Sequence, residues 1–260
     1  MSSSIERLLA ENIKGSVDFA LIAIREDEFE AVLHYFPPTK EAIGQHRTYE
    51  IFDLESSDGS VYRAALLRSL EQGHSPAQSA TSDVIADLNP NWIVLVGIAG
   101  AAPESEFSLG DVVIAERMID FSVSAALADG TKEIVHRGAP AHKAIQDWIS
   151  RLPVLKSRLG DWNQLSKLDV IMPTISIEDG LSHIPDEVWK DKLRHSLKHR
   201  FEPKKGNTPR LPIVTAAAIA SGNILVKDHE LLKYWQQIAR NLELELSPLN
   251  GHIMFCLKEK

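Results

Sequence analysis

The stretch VDFALIAIREDEFEAVLHYF, residues 17–36, decides the fold class of this chain. Its beginning, VDFALIAI, is rich in β-branched and large apolar residues, which is typical of a buried strand. The charged stretch EDEFEAVLHYF has apolar residues at helical spacing, and Pro37 and Pro38 then stop the helix. The chain therefore opens as a strand, a short loop and a helix.

The same alternation of apolar strands and amphipathic helices continues along the chain. The predicted strands that follow are residues 48–54, 61–68, 92–96, 109–115 and 213–220, with extended sequence at 118–123, and the predicted helices are residues 79–88, 145–152, 188–201 and 228–242. Residues 71–78, EQGHSPAQ, are predicted to be a loop. This alternation predicts a three-layer α/β fold, in which a mixed central β-sheet is flanked by helices. We expect one domain over residues 1–260, with an insertion at about 141–212 and an atypical end after residue 245.

The composition is that of an ordinary globular protein. Of the 260 residues, 44% are hydrophobic and 25% are charged, a balance that excludes a disordered or fibrous chain. No stretch reaches the roughly 18 apolar residues of a membrane-spanning helix, and the polar amino terminus is unlike a signal peptide, so we expect no membrane association. A lone Cys256 forbids an intrachain disulfide and favours a reducing, cytoplasmic location. The net charge, 28 − 36 = −8, argues against a nucleic-acid partner.

Two patterns carry chemistry on their own. Ile98, Ala99 and Gly100 follow an apolar strand directly, and small residues in such a turn let backbone N–H groups approach a ligand. An ordinary strand-to-loop turn has the same pattern, so both interpretations stay open. Glu243 and Glu245 alternate with leucines, so in extended geometry both carboxylates would point to one face, where they need a partner.

A basic segment around residue 195 also has more than one interpretation. His195 and His199 lie four residues apart on a predicted helix, which is the spacing of a metal-binding pair, but no carboxylate stands between them. Seven lysines and arginines in residues 190–205 suit phosphate groups or nucleic acid, although acidic residues are interspersed and aromatic residues are few. We favour a solvated basic helix and predict no metal site.

Five segments of the chain are similar, in order, to motifs of one family. They are AIREDEFEAV (residues 23–32), PNWIVLVGIAGAA (90–102), LGDVVIA (109–115), IASGN (219–223) and ELE (243–245). The chain therefore resembles the purine nucleoside phosphorylase/uridine phosphorylase superfamily. Within it, the methylthioadenosine/S-adenosylhomocysteine nucleosidases show the strongest resemblance, with segments that typically read G-x-A-G-G, L-G-D-V-V, S-G-D and E-M-E. The resemblance implies a nucleoside phosphorylase-like fold.

The resemblance also implies a set of site residues. The catalytic ones are Glu28, for which Asp27 is an alternative because the register of this loop is open, and Glu245. The residues implied to bind the substrate are Ile98, Ala99, Gly100, Ser221, Leu225, Val226, Glu243 and Leu244. Gly73 and His74 resemble part of the loop that contributes to the phosphate site in phosphorylases. Glu245 is implied to hold the ribose hydroxyls, a role that suits a carboxylate because it accepts two hydrogen bonds at once.

The implied reaction is cleavage of the N-glycosidic bond of a purine nucleoside or nucleotide, through a sugar with oxocarbenium character. Hydrolysis is favoured over phosphorolysis, because the arginines of a phosphate site are not assigned and Arg25, Arg63 and Arg68 are candidates only. No cofactor is implied, since phosphate would be a co-substrate. By the same resemblance we expect a homo-oligomer.

Departures from the family's motifs point to impaired catalysis. Family members carry a serine–aspartate pair after the E-M-E strand, and its aspartate protonates the purine, whereas the 15 residues after Glu245 contain no aspartate. Loss of a general acid lowers a rate by on the order of 10²–10⁴-fold. The alternative function is a catalytically silent sensor that binds a nucleoside or nucleotide in a larger regulatory or defence assembly.

Overall fold

The computed structural model describes residues 5–99, 110–126, 132–164, 187–201, 211–222, 251–252, 254–255 and 257–258, and the structural statements below concern these residues. The helices are α1 (Glu26–Tyr35), α2 (His74–Leu88), α3 (Lys143–Leu155) and α4 (Glu187–Phe201), with short 3-10 helices at Ala10–Ile13 and Lys156–Leu159. The strands are β1 (Glu6–Leu9), β2 (Phe19–Ala23), β3 (Lys40–Ile43), β4 (Thr48–Glu55), β5 (Val61–Arg68), β6 (Trp92–Val96), β7 (Ile98–Ala99), β8 (Val112–Ala126), β9 (Lys132–Pro140), β10 (Val214–Ser221), β11 (Gly251–His252), β12 (Met254–Phe255) and β13 (Leu257–Lys258).

Seven strands form the first sheet, in the order β1-β3-β4-β5-β2-β6-β13. β2 is parallel to β5 on one side and to β6 on the other. Ala23, the last residue of β2, lies opposite Arg68 of β5 and Val96 of β6. The carboxyl ends of three parallel strands therefore meet at one edge of the sheet, the place where open α/β sheets usually bind ligands.

Helices cover both faces of the first sheet. Leu67 of β5 lies in one apolar cluster with Val84 of α2. The preceding residue, Leu66, lies in a different cluster, against Phe29 and Val32 of α1. Because neighbouring residues of a strand point to opposite faces, α1 and α2 flank the sheet on its two sides. Burial on both faces explains the nearly continuous apolar strands, and the arrangement confirms the predicted three-layer α/β fold with a mixed sheet.

The second sheet has β8 at its centre, with β10 and β12 as its neighbours and β9 paired to its later part. β10 runs parallel to β8, and a bulge interrupts their register. Ala217 pairs with Ala115 whereas Ala218 pairs with Arg117, so Glu116 is the extra residue on β8. Beyond the bulge, the register brings the last residue of β10, Ser221, beside Asp120.

One face of the second sheet packs against β7, which follows the first sheet directly. Val113 and Ala115 of β8 form an apolar cluster with Ala217 and Ile219 of β10, and Ala99 of β7 packs on it. The other face carries Ile114, which clusters with Ile145 and Leu152 of α3. The segment β6–β7 therefore leads from the carboxyl edge of the first sheet to one particular face of the second.

A buried carboxylate fastens the β3–β4 turn to α2. Asp87 of α2 is 7% exposed and accepts a hydrogen bond of 2.8 Å from the Tyr49 hydroxyl. It also accepts bonds from the backbone N–H groups of Gln45 and His46, at 3.1 and 3.2 Å. These contacts fix α2 against the strands, and α2 in turn carries His74 at its first position.

The structure differs from the sequence prediction at the start of α2. The predicted loop at residues 71–78 is wrong in its second half, because the helix begins at His74 and not at residue 79. Pro76 accounts for the difference, since proline is tolerated in the first turn of a helix, where its missing N–H has no partner to lose. The segments predicted at residues 109–115 and 118–123 belong to one strand, β8, while β1, β3 and β9 were not predicted. The predicted helix at 228–242 lies outside the described residues.

Candidate functional site

Glu28 joins the start of α1 to the turn after β6, residues 97–99, which we call the β7 turn. Its side chain is buried, with 6% of the residue exposed. One oxygen, Oε2, accepts hydrogen bonds from the backbone N–H groups of Ile24 at 3.1 Å and Arg25 at 2.8 Å. The other, Oε1, accepts a 2.7 Å bond from the N–H of Ile98. The carboxylate thus satisfies donors at the start of the helix, as in a capping box, and reaches 70 residues along the chain to hold β7.

Gly97 allows this close approach. A Cβ atom at this position would lie 3.1 Å from Oε1 of Glu28, so any other residue would press on the carboxylate. A carboxylate offers about four acceptor sites in total. The three hydrogen bonds described occupy three of these acceptor sites, and the fourth acceptor site, on Oε1, lies beside the turn. The arrangement can therefore hold the turn and accept one further hydrogen bond, from water or a hydroxyl group.

The structure shows which of Asp27 and Glu28 lies at the turn after β6. Asp27 points outward, with half of its side chain exposed, and binds Arg25 through two contacts of 2.9 and 2.7 Å. Its hydrogen bond with Arg25 holds the pKa of Asp27 below the ordinary value. Glu28, not Asp27, is the carboxylate at the turn, and its catalytic role remains a prediction.

A second group of polar side chains comes from three different elements. His74, at the start of α2, lies with its Nε2 atom 2.7 Å from Oγ of Ser221 at the end of β10. Its other ring nitrogen, Nδ1, is 3.7 Å from Oδ1 of Asp120 on β8. About a third of each side chain, 36% for His74 and 37% for Asp120, is exposed to solvent. We call His74, Ser221 and Asp120 the His74 cluster.

The His74 cluster and the β7 turn lie on the same face of the second sheet. Ala99 of β7 packs on the apolar cluster that includes Ala217 and Ile219, and Ser221 follows these two residues at intervals of two, so it shares their face. Asp120 is in register with Ser221. Glu28, the β7 turn and the His74 cluster therefore border one region at the carboxyl ends of β2, β5, β6 and β10, which is the candidate site.

The predicted site residues are described only in part. Ile98 and Ala99 form β7, Gly73 precedes α2 with a positive φ of 120°, and Ser221 ends β10. The predicted residues that lie outside the described ones are Gly100, Leu225, Val226, Glu243, Leu244 and Glu245. The structure adds Asp120, which the sequence reasoning missed. The sequence contains an indication of this role, because Asp120 is an acidic residue between the apolar Ile119 and Phe121, and such a residue needs a polar partner.

The alternative sites of the sequence analysis gain no support. On α4, Lys190 pairs with Glu187 at 2.8 Å and Arg194 pairs with Asp191 at 2.7 Å, as on a solvated helix. His195 is exposed on the same helix. Across the described ranges, no three His, Cys, Asp or Glu side chains come together as a metal ion would require. Likewise, no helix within these ranges is long and apolar enough to cross a membrane.

Several solved structures have a similar fold. One is the 5'-methylthioadenosine/S-adenosyl homocysteine nucleosidase of Helicobacter pylori, with 11% identity, coverage of 93% of this chain and 76% of that chain, and a TM-score of 0.51. The MTA/SAH nucleosidase of Streptococcus pneumoniae has 12% identity, coverage of 92% and 76%, and a TM-score of 0.51. Futalosine hydrolase of Helicobacter pylori has 10% identity, coverage of 92% and 75%, and a TM-score of 0.51. At these identities the likeness concerns the fold.

A curated relative and a family model complete the comparison. The relative is an ATP nucleosidase, Cap17, of Escherichia coli strain KTE188, which is 25% identical over 189 residues, or 71% of this chain. The chain spans only about a third of the length of that relative, 31%. The family model, described as the phosphorylase superfamily, matches residues 19–158, from β2 through α3. Since this match covers more than half of the chain, the protein belongs to the phosphorylase superfamily.

Proposed function

We propose that the chain hydrolyses the N-glycosidic bond of a purine nucleoside or nucleotide. The observation that carries the proposal is the meeting of Glu28, the β7 turn and the His74 cluster at the carboxyl edge of the sheets. Membership of the phosphorylase superfamily supports it. So do the similar proteins, which are named as nucleosidases and a hydrolase.

The geometry suits a reaction at a sugar carbon. The free acceptor site on Oε1 of Glu28 can hold a water molecule or a sugar hydroxyl, and the negative charge of the carboxylate stabilises an oxocarbenium-like sugar. By the family resemblance, Glu245 would bind the ribose hydroxyls, with Leu244, Leu225 and Val226 against the sugar and the purine. Gly73 and His74 stay candidates for a phosphate-binding loop, which a phosphorolytic reaction would need.

The proposed substrate class includes nucleotides, and the comparisons support it. The relative named ATP nucleosidase supports a triphosphate as a candidate, beside the methylthioadenosine and S-adenosylhomocysteine named for the similar structures. No cofactor forms part of the proposal. From the family resemblance we also propose a homo-oligomer. Light scattering after gel filtration would measure its molar mass and so its number of subunits. A reducing, cytoplasmic compartment is proposed from the lone Cys256.

The direct test is to incubate the purified chain with adenosine, inosine, methylthioadenosine, S-adenosylhomocysteine and ATP, each with and without phosphate. Chromatography would detect the free base, and the sugar product would be analysed as free sugar or sugar phosphate. We expect base release at a rate that does not depend on phosphate. The matched variants are Glu28→Ala and Glu30→Ala, since Glu30 is exposed on the same helix. Sugar phosphate as the product would contradict hydrolysis.

A second candidate function is binding without catalysis, and one observation favours it. Three of the acceptor sites of Glu28 are already occupied by backbone N–H groups, an arrangement that fixes a turn better than it activates water. A silent binding module would show a ligand-dependent rise in melting temperature, because a ligand that binds only the folded state stabilises it. If a ligand raises the melting temperature and no substrate in the test releases free base, the chain is a binding module and not a hydrolase.

A further inference from the structure

The His74 cluster joins a solvent-accessible base to a hydroxyl group at the end of a strand. The His74 ring is 36% exposed, so its protons exchange with bulk water. Its Nε2 atom lies 2.7 Å from Oγ of Ser221, a distance at which a proton passes directly between the two atoms. The imidazole ring is the side chain that gains and loses a proton near neutral pH. A path for protons thus leads from solvent to Ser221.

Ser221 stands where this path meets the candidate site. It is the last residue of β10 and shares its face with Ile219, a member of the apolar cluster on which Ala99 packs. Two residues along a strand span about 6.7 Å, so Ser221 lies one such step beyond Ile219, at the border of this cluster. A serine hydroxyl donates one hydrogen bond and accepts two. Ser221 can therefore receive a proton from His74 and give its own to a bound molecule.

We propose that Ser221 and His74 form a proton relay to the leaving base, with Ser221 as the catalytic residue and His74 as the positioning residue that supplies it. This inference rests on the proposed function. As the bond between the sugar carbon and the base nitrogen breaks, its electron pair stays on the base. A ring nitrogen of the base takes the Ser221 hydroxyl proton, and Ser221 takes the Nε2 proton of protonated His74. Water captures the sugar cation and releases a proton to solvent, from which His74 is protonated again.

The relay makes the rate depend on pH. It needs a proton on Nε2 of His74 that can pass to Ser221, so the rate must fall at high pH, where an imidazole ring is no longer protonated. Asp120 lies beside the other ring nitrogen, with its Oδ1 atom 3.7 Å from Nδ1.

The test compares kcat/KM between pH 5 and pH 9 in the full chain and in four variants. His74→Gln keeps a hydrogen-bonding group near Ser221 but does not exchange protons, so we expect a loss of about 10²-fold and no fall at high pH. Ser221→Ala loses activity to the same extent, and Ser221→Thr, which restores the hydroxyl, recovers part of it. His34→Gln, at an exposed histidine of α1, serves as the control for the substitution.

An independent readout is the NMR titration of the His74 ring, assigned from the signal that disappears in His74→Gln. We expect the His74 signal to persist in Ser221→Ala while activity is lost, because that substitution leaves the ring itself in place. Two outcomes would overturn the relay alone, provided that the wild type releases base. One is a Ser221→Ala rate within twofold of the wild-type rate. The other is a His74→Gln variant whose rate still falls at high pH as the wild-type rate does. A wild type that releases no base from any substrate refutes the proposed function, and the relay with it.

Discussion

Replacement of Glu28 tests whether one carboxylate holds the β7 turn in place. In Glu28→Gln, the amide has a single acceptor oxygen, so it can serve either the start of α1 or the N–H of Ile98, but not both. The group left without an acceptor is part-buried, and such a loss costs about 1–3 kcal/mol. In Glu28→Ala, the capping bonds to Ile24 and Arg25 disappear as well, which adds about 0.5–2 kcal/mol.

The assay is urea unfolding, followed by hydrogen exchange of the Ile98 amide. We expect the free energy of unfolding to fall in the order wild type, Glu28→Gln, Glu28→Ala. Exchange of the Ile98 amide should be roughly 30-fold faster for about 2 kcal/mol of local stability lost. The control Glu30→Gln makes the same chemical change on an exposed face of α1 and leaves both measurements unchanged. If Glu28→Ala and Glu30→Ala unfold at the same urea concentration, the reasoning is refuted.

Three more outcomes follow from the contacts of buried groups. Gly97→Ala brings a Cβ atom 3.1 Å from Oε1 of Glu28, so we expect a loss of about 1 kcal/mol in urea unfolding and faster exchange at the turn; wild-type values would show that the turn adapts freely. Tyr49→Phe removes the hydroxyl that bonds Asp87, with a loss of about 1–3 kcal/mol, and an unchanged unfolding midpoint would contradict this. Burial raises the pKa of Asp87, but the hydrogen bonds from Tyr49 and from two backbone N–H groups outweigh it, so the pKa lies below the ordinary value. The stability that this carboxylate contributes is therefore present above about pH 4 and lost as the pH falls through the folded-state pKa. Asp87→Asn should flatten the acid side of a plot of unfolding free energy against pH, and a plot that keeps the wild-type slope would count against this assignment.

The sequence predicts the core of the fold well because apolar periodicity reports burial directly. β2, α1 and β6 lie where apolar runs and helical spacing place them, to within a residue or two. The start of α2 was missed, since Pro76 is a loop signal in sequence and an acceptable first-turn residue in a helix. β3 was also missed, because a short strand of mixed polarity, KEAI, owes its conformation to its partners and not to its own pattern.

The candidate site is less predictable than the fold because its contacts join distant parts of the chain. Glu28 belongs to a local motif, and its place at the start of α1 is readable from the acidic residues there. Its bond to Ile98 is not, since it spans 70 residues. The contact between His74 and Ser221 spans 147 residues and depends on how α2 and β10 pack. The sequence pattern therefore supplies candidate residues, and only the packing of helices and strands shows which of these residues lie together.

The extra residue on β8 decides which side chains of this strand face the candidate site. Strand side chains alternate, so an insertion of one residue exchanges inside and outside for all that follow. With Glu116 bulged out, Met118 and Asp120 lie on the face of Ile219 and Ser221. In a strand of the same sequence without the bulge, Glu116 would pair with Ala218, so Ile119 and Phe121 would take that face and the carboxylate would turn to the opposite one. Whether this face carries Met118 and Asp120 or Ile119 and Phe121 thus depends on one bulged residue, with the sequence unchanged.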